Sequence, residues 1–210
     1  MVDELNLLQT TKTKKRAIPY RQYFEEMDLS EEQINERVEH SKKLHPILLF
    51  ILNLIVVYYE YNTVSIDTIA EELRERYIEA LAEMGDDIDS TVIAYVDKFS
   101  KDFVETTVKR ISDEYYTSND RAEVTAENEA NTILNFEDFK DALESGKKYK
   151  TWITERDDRV RDTHVVMEGV TIPIDDYFTV GDSYMLYPKD TGNGASMEEI
   201  SNCRCSIPYS

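Results

Sequence analysis

A change of hydrophobic period near Lys150 constrains this chain more than any other feature. Before it, apolar residues recur at three- and four-residue spacing; after it, short runs alternate or cluster between glycine and proline. Such a pattern predicts an α+β fold, with a helical N-terminal two-thirds followed by a small mixed α/β C-terminal module containing a β-hairpin. The expected divisions are a mobile basic arm over 1–20, a helical domain over 21–145 and the module over 146–210.

Within the helical part, Ser30 followed by Gln33 has the form of a capping box, so a helix is expected from Glu31, with Ile34 and Val38 recurring toward Leu44. Pro46 then suits the first turn of a new helix, where its missing N–H costs little, and Ile47 to Tyr59 is apolar nearly all round. This stretch is expected to be buried at the centre of the bundle. Ile66, Ile69, Leu73, Tyr77, Leu81 and Met84 form one face ending at Gly85, which predicts a continuous helix. A further helix is expected through Val92, Val96, Phe99, Phe103 and Val108 toward Tyr115, stopped by Thr117-Ser118-Asn119-Asp120. Shorter ones follow over Ala122 to Leu134 and Phe136 to Leu143.

Charge narrows the partners. The 43 acidic and 24 basic side chains leave a net charge of -19, which repels nucleic acid and anionic lipid over most of the surface. Lys12, Lys14, Lys15 and Arg16 form the one plausible phosphate-binding tract, a candidate contact for phosphate, packaged DNA or a partner. The uncharged run from Leu44 to Tyr59 falls short of the ~20 residues that cross a bilayer, so a core helix and no membrane role is expected. Met1 to Thr10 lacks the pattern of an export signal, and two cysteines spaced Cys203-Arg204-Cys205 give no disulfide framework; both point to a reducing compartment.

In the module, Thr151 to Thr154 fits a short strand, and Thr154 with Asp157 suits the cap of a helical turn. Asp157, Arg161 and His164 would then share one helix face, with Asp157 and Arg161 as an ion pair. Glu168-Gly169 between Val165-Val166-Met167 and Val170-Thr171-Ile172 reads as the hairpin turn. Gly181-Asp182 and Pro188-Lys189-Asp190 read as loops, and Ser206-Ile207-Pro208 as a terminal strand fragment.

Several short motifs follow one another over the last 60 residues: Lys150-Thr151-Trp152-Ile153-Thr154, Asp157 to His164, Glu168-Gly169, Asp176-Tyr177-Phe178, Tyr187-Pro188-Lys189-Asp190 and Asn202-Cys203-Arg204-Cys205. Their order and spacing resemble the C-terminal module of phage Mu F-like minor head proteins. Thr125 to Glu129 is similar to the helix preceding that module, so the resemblance covers roughly the last 90 residues; Lys189 stands where the family commonly has glycine. The resemblance implies a minor capsid protein of a tailed double-stranded DNA phage, present in few copies at the portal vertex and acting in procapsid assembly or the fate of packaged DNA. Portal protein and other head proteins are the implied partners, and the virion head, after assembly in the host cytoplasm, the implied location. Trp152, Asp157, Arg161, Asp190 and Asn202 are the implied structural motif. The competing class is a small toxin or nucleic-acid-processing enzyme built on the same module.

Three side chains carry separable chemistry. On a strand, Cys203 and Cys205 face the same way, and with His164 nearby they offer three ligands to Zn²⁺, with a carboxylate as a fourth. The same residues also suit a hydrogen-bonded packing core, and a nucleophilic Cys–His pair is the third alternative, without an oxyanion-hole motif to support it. Trp152 is expected to anchor the core.

Overall fold

A computed structural model describes residues 20–63 and 65–210. The basic tract Lys12 to Arg16 lies outside the described residues. After a short helix α1 (Arg21–Glu25), the capping box forms as the sequence requires. Gln33 N donates to Ser30 Oγ (3.3 Å) and Ser30 N donates to Gln33 Oε1 (3.1 Å). Helix α2 (Glu31–Glu60) then runs without interruption through Pro46. The expected break is absent because Leu44, Leu48, Ile51, Leu52 and Ile55 continue one buried stripe across the proline. Each is worth ~1.5–3 kcal/mol on burial, which together exceeds the ~3 kcal/mol that an internal proline costs.

Burial of Ile47 to Tyr59 is confined to that stripe, since Phe50, Val57, Tyr58 and Tyr59 are exposed. Among the described residues, α2 is the helix long and apolar enough to cross a bilayer by length and composition. Its buried stripe packs on α3, α4 and α5, while 33% of its most apolar stretch is buried inside the fold.

Helix α3 (Ile66–Met84) is continuous, capped by Ser65 and ended by Gly85 in the left-handed conformation, φ 95°. Its face Ile69, Leu73, Tyr77 and Leu81 packs with α2 and with α4 (Ser90–Lys109), whose Val92, Val96, Phe103 and Val104 are buried. Helix α4 stops at Lys109, short of Tyr115. A 3₁₀ turn (Glu114–Thr117) follows, and Ser118 opens the next helix by accepting from Arg121 N (3.2 Å). The polar cluster at 117–120, expected to stop α4, therefore lies beyond that helix and starts the next one.

Helix α5 (Asn119–Glu144) joins what the sequence suggested as two helices. No glycine or proline interrupts 122–143, and Asn135, at the expected break, is used inside the fold. It accepts from Arg37 Nη2 (3.0 Å) and donates to Pro188 O (2.9 Å). The fully buried Arg37 also reaches Asn131 Oδ1 (3.1 Å) and Asp138 Oδ2 (2.8 Å), stitching α2 to α5. A buried guanidinium is tolerable because its donors are matched.

Beyond α5 the chain forms two small antiparallel strand pairs. Strand β1 (Tyr149–Thr151) pairs with β2 (Thr171–Pro173), Lys150 opposite Ile172. The C-terminal segment adds bridges at Lys150 with Tyr209 and Ile153 with Ser206. Strands β3 (Phe178–Val180) and β4 (Ser183–Met185) make the hairpin, turning at Gly181-Asp182. The hairpin expected at Glu168-Gly169 does not form. Instead α6 (Asp162–Val165) precedes that turn, leaving Val165 and Val166 exposed while Gly169 takes φ 74° and leads into β2. Glu168 is keyed elsewhere: its Oε2 accepts from Thr154 N (2.6 Å) and Thr154 Oγ1 (2.7 Å). Thr154 therefore caps no helical turn.

Candidate functional site

The site lies where α6, the Cys-X-Cys segment and a last short helix α7 (Met197–Ile200) meet over Trp152. Trp152 is fully buried, with its ring edge-on to His164 (centroids 5.6 Å apart) and to Phe178 (5.1 Å). This packing places His164 against the cysteines. Its Nδ1 is 3.3 Å from Cys205 Sγ and 3.6 Å from Cys203 Sγ, all three residues buried and their ligand atoms within 4.8 Å of one another. On the far side of the ring, Nε2 is 3.0 Å from Glu199 Oε2.

Alternation along the chain explains how Arg204 differs from its neighbours. While Cys203 and Cys205 face inward, Arg204 points to Asp157, with Nη2 at 2.7 and 2.9 Å from the carboxylate oxygens. Asp157 also accepts from Arg159 Nη2 (2.7 Å). The pair Asp157–Arg161 expected from helical spacing is not formed, because residues 157–161 are not helical and α6 begins only at Asp162. Arg161 instead donates to Ser201 O, tying the start of α6 to the segment before the cysteines. The guanidinium of Arg204 holds the Asp157 carboxyl far below the usual carboxylate range.

The electrostatics of the sulfurs are asymmetric. Hydrogen bonding from Cys205, aided by His164, pulls the Cys203 thiol well below its ordinary pKa against the effect of burial. Sharing that proton pushes Cys205 far up. Burial disfavours the charged form of His164, but its bonds to Cys203 and Glu199 outweigh this and raise its pKa.

Two motif residues bind the module to itself and to α5. Asp190 is buried and folds its own loop, accepting from Leu186 N (2.8 Å) and Gly192 N (2.8 Å). Asn202, with φ 53°, accepts from Asn128 Nδ2 (2.8 Å), while its N–H donates to Asn128 Oδ1 (2.9 Å). Lys189, where the family commonly has glycine, keeps the left-handed backbone that glycine favours, φ 69°. Its buried ammonium donates to the same Asn128 oxygen (2.6 Å).

Sequence reasoning did not single out Glu199, Glu155 or the role of Asn128. Glu155 lines a cavity of ≈ 10 Å³ together with Arg161, His164, Cys203 and Cys205. Its Oε1 is buried without a hydrogen-bond partner, and burial raises its pKa to about 7. A larger cleft of ≈ 620 Å³ lies apart from this cluster, between Asp28, Asp138, Asp141 and the C-terminal residues 206–209.

The chain is thus a bundle of long helices carrying a small C-terminal module over a buried His–Cys–Cys cluster, and comparison with known families sets it among phage head-morphogenesis proteins. A family model described as phage Mu protein F like protein matches residues 67–208, well over half of the chain, so the protein belongs to that family. The match begins inside α3, extending the likeness upstream of the last 90 residues that the motifs suggested. No curated protein and no solved structure matches the chain.

Proposed function

We propose that this protein is a minor head component of a tailed double-stranded DNA phage, built into the procapsid in few copies at the portal vertex. There it acts in assembly or on the fate of packaged DNA, as a structural protein without catalytic turnover. The observation that carries the reading is the family match running unbroken from α3 to residue 208. Helices α3, α4 and α5 and the C-terminal module thus fall within one family match, with Asn128 of α5 the partner of both Lys189 and Asn202. Exposed Val57, Tyr58, Tyr59 and Tyr61 at the C-terminal end of α2 supply an apolar surface for a neighbouring head protein. In this reading the His164, Cys203 and Cys205 cluster braces the chain and attacks no substrate.

Quantitative mass spectrometry of purified virions and procapsids tests this directly. A low, constant copy number relative to the major capsid protein, together with co-purification with portal protein, is the expected result. Absence from both particles overturns the proposal.

A further inference from the structure

We propose that His164 Nδ1, Cys203 Sγ, Cys205 Sγ and the carboxylate of Glu155 bind one Zn²⁺ in a closed tetrahedral site, with Glu199 orienting the histidine. The spacing already suits the ion. Tetrahedral zinc with Zn–N of about 2.0–2.1 Å and Zn–S of about 2.3 Å sets its nitrogen and sulfur ligands about 3.5 Å apart. The nitrogen-to-sulfur distances here are 3.3 and 3.6 Å.

The histidine is held in the tautomer a metal needs. Glu199 Oε2 accepts from Nε2–H, which leaves the Nδ1 lone pair directed at the sulfurs, the carboxylate–histidine arrangement found behind zinc ligands. Glu199 is itself fixed. Thr163 Oγ1 donates to Oε2 (2.8 Å), and Gly181 leaves room for Oε1, which would sit 2.5 Å from a Cβ at that position. A glycine is therefore required there by the carboxylate as well as by its positive φ of 56°.

A metal-free packing core explains the same residues less completely. One Nδ1 lone pair can accept from only one thiol, and Glu155 Oε1 is buried without a partner beside the cluster. Glu155 stands outside the group of three mutually close ligand atoms, so its side chain must swing into the adjoining cavity to close the shell. That cavity, ≈ 10 Å³, is on the scale of a single water and holds no substrate, which favours a closed structural site over an open catalytic one. Binding forms two Zn–S bonds, one Zn–N bond and one Zn–O bond, with the two thiol protons and any proton on the Glu155 carboxyl passing to solvent. Two thiolates and one carboxylate on Zn²⁺ leave one negative charge, faced by Lys189 near Cys203 and Arg204 near Glu155.

The test uses the full chain purified without chelator. Elemental analysis should find one zinc per chain. Replacement by Co²⁺ should give tetrahedral visible bands and the near-ultraviolet charge-transfer bands of two thiolates. Glu199→Gln should keep those thiolate bands while weakening Zn²⁺ affinity about 10–100-fold, the cost typical of a lost ligand-orienting partner. Glu155→Gln should weaken Co²⁺ at least about tenfold and shift its visible bands. Wild-type protein that contains no zinc and takes up no Co²⁺ overturns the site, whatever the folding of any variant. Unchanged affinity and spectrum in Glu155→Gln overturn Glu155 as the fourth ligand. All readouts are on the isolated chain, so either failure leaves the head-protein reading standing.

Discussion

Asn128 Oδ1 accepts at once from Lys189 Nζ (2.6 Å) and from Asn202 N (2.9 Å), so one amide on α5 holds two separate loops of the C-terminal module. Its Nδ2 completes the junction by donating to Asn202 Oδ1 (2.8 Å) and Val124 O (2.8 Å). The module is thereby fastened to the helical body by side-chain polarity, where sheet pairing does not reach.

Removing that amide should be costly, because it strands a cation. Lys189 is 4% exposed, and burial already lowers its pKa to about 8, so without Asn128 its ammonium keeps only Ile200 O at 3.3 Å. Asn128→Ala is expected to lose about 3 kcal/mol in chemical denaturation, within the range for breaking a buried charged contact. Adding Lys189→Met should recover part of that loss, since no orphan charge remains. A double variant as unstable as the sum of its parts would show that the two side chains do not act together.

A buried acid gives a pH dependence of known sign. Burial raises Glu129 to about 7, against the bonds from Tyr95 Oη (2.7 Å) and Tyr77 Oη (3.1 Å) that favour its charge. Between the ordinary value of 4.5 and about 7 the folded state holds a proton that the unfolded chain has released. The contribution to stability is therefore full below pH 4.5 and is lost as pH rises through about 7, with an upper limit of about 3 kcal/mol. Glu129→Gln keeps an oxygen for both tyrosines and removes the titration. Its Tm should exceed that of the wild type at pH 8 and approach it at pH 4.5, as scanning calorimetry at the two pH values would show. A Tm difference that does not change with pH rules the assignment out.

How much of this was legible depended on how far each signal reached along the chain. Helix α3 was readable because everything that defines it is local: Ser65 bonding Thr68, an apolar face at helical spacing, and Gly85 at positive φ. Pro46 misled because its cost is local while the compensating burial of Leu48, Ile51 and Ile55 comes from other helices. At Glu168-Gly169 the turn itself was legible, and the glycine does take positive φ, but its partners were not. Glu168 answers to Thr154, 14 residues away. Glu199 carries no motif at all; its role appears only once a contact across 35 residues brings it to His164.

Helix α3 also supplies the sharpest test of the packing. Leu73 is fully buried among α2, α3 and α4 residues with no polar group to reorganise, so Leu73→Ala should lose about 2–5 kcal/mol. Urea denaturation should show a lower midpoint with an unchanged slope. A loss under about 1 kcal/mol would mean that the helix contributes little to a shared core.

The charge distribution yields the last prediction, on DNA. At -19 overall, the chain has Lys12, Lys14, Lys15 and Arg16 as its densest basic tract, with exposed Lys147 and Lys148 a smaller one, and most other cations on the body are engaged internally. Arg37 is enclosed by α5, Arg204 and Arg159 are taken by Asp157, and Lys140 by Asp87 and Asp89. Affinity for duplex DNA is governed by how many phosphates are neutralised, each adding about 0.9 to the slope of log K against log salt. Four contacts from the tract give a slope of about -4, which implies weak binding at physiological salt. Fluorescence anisotropy with a labelled duplex should therefore detect binding at low salt that falls with this slope, and none after deletion of residues 1–20. Tight, salt-sensitive binding that survives the deletion would place a DNA contact on the folded body and defeat the reading of an acidic head protein whose DNA contact is confined to its N-terminal tract.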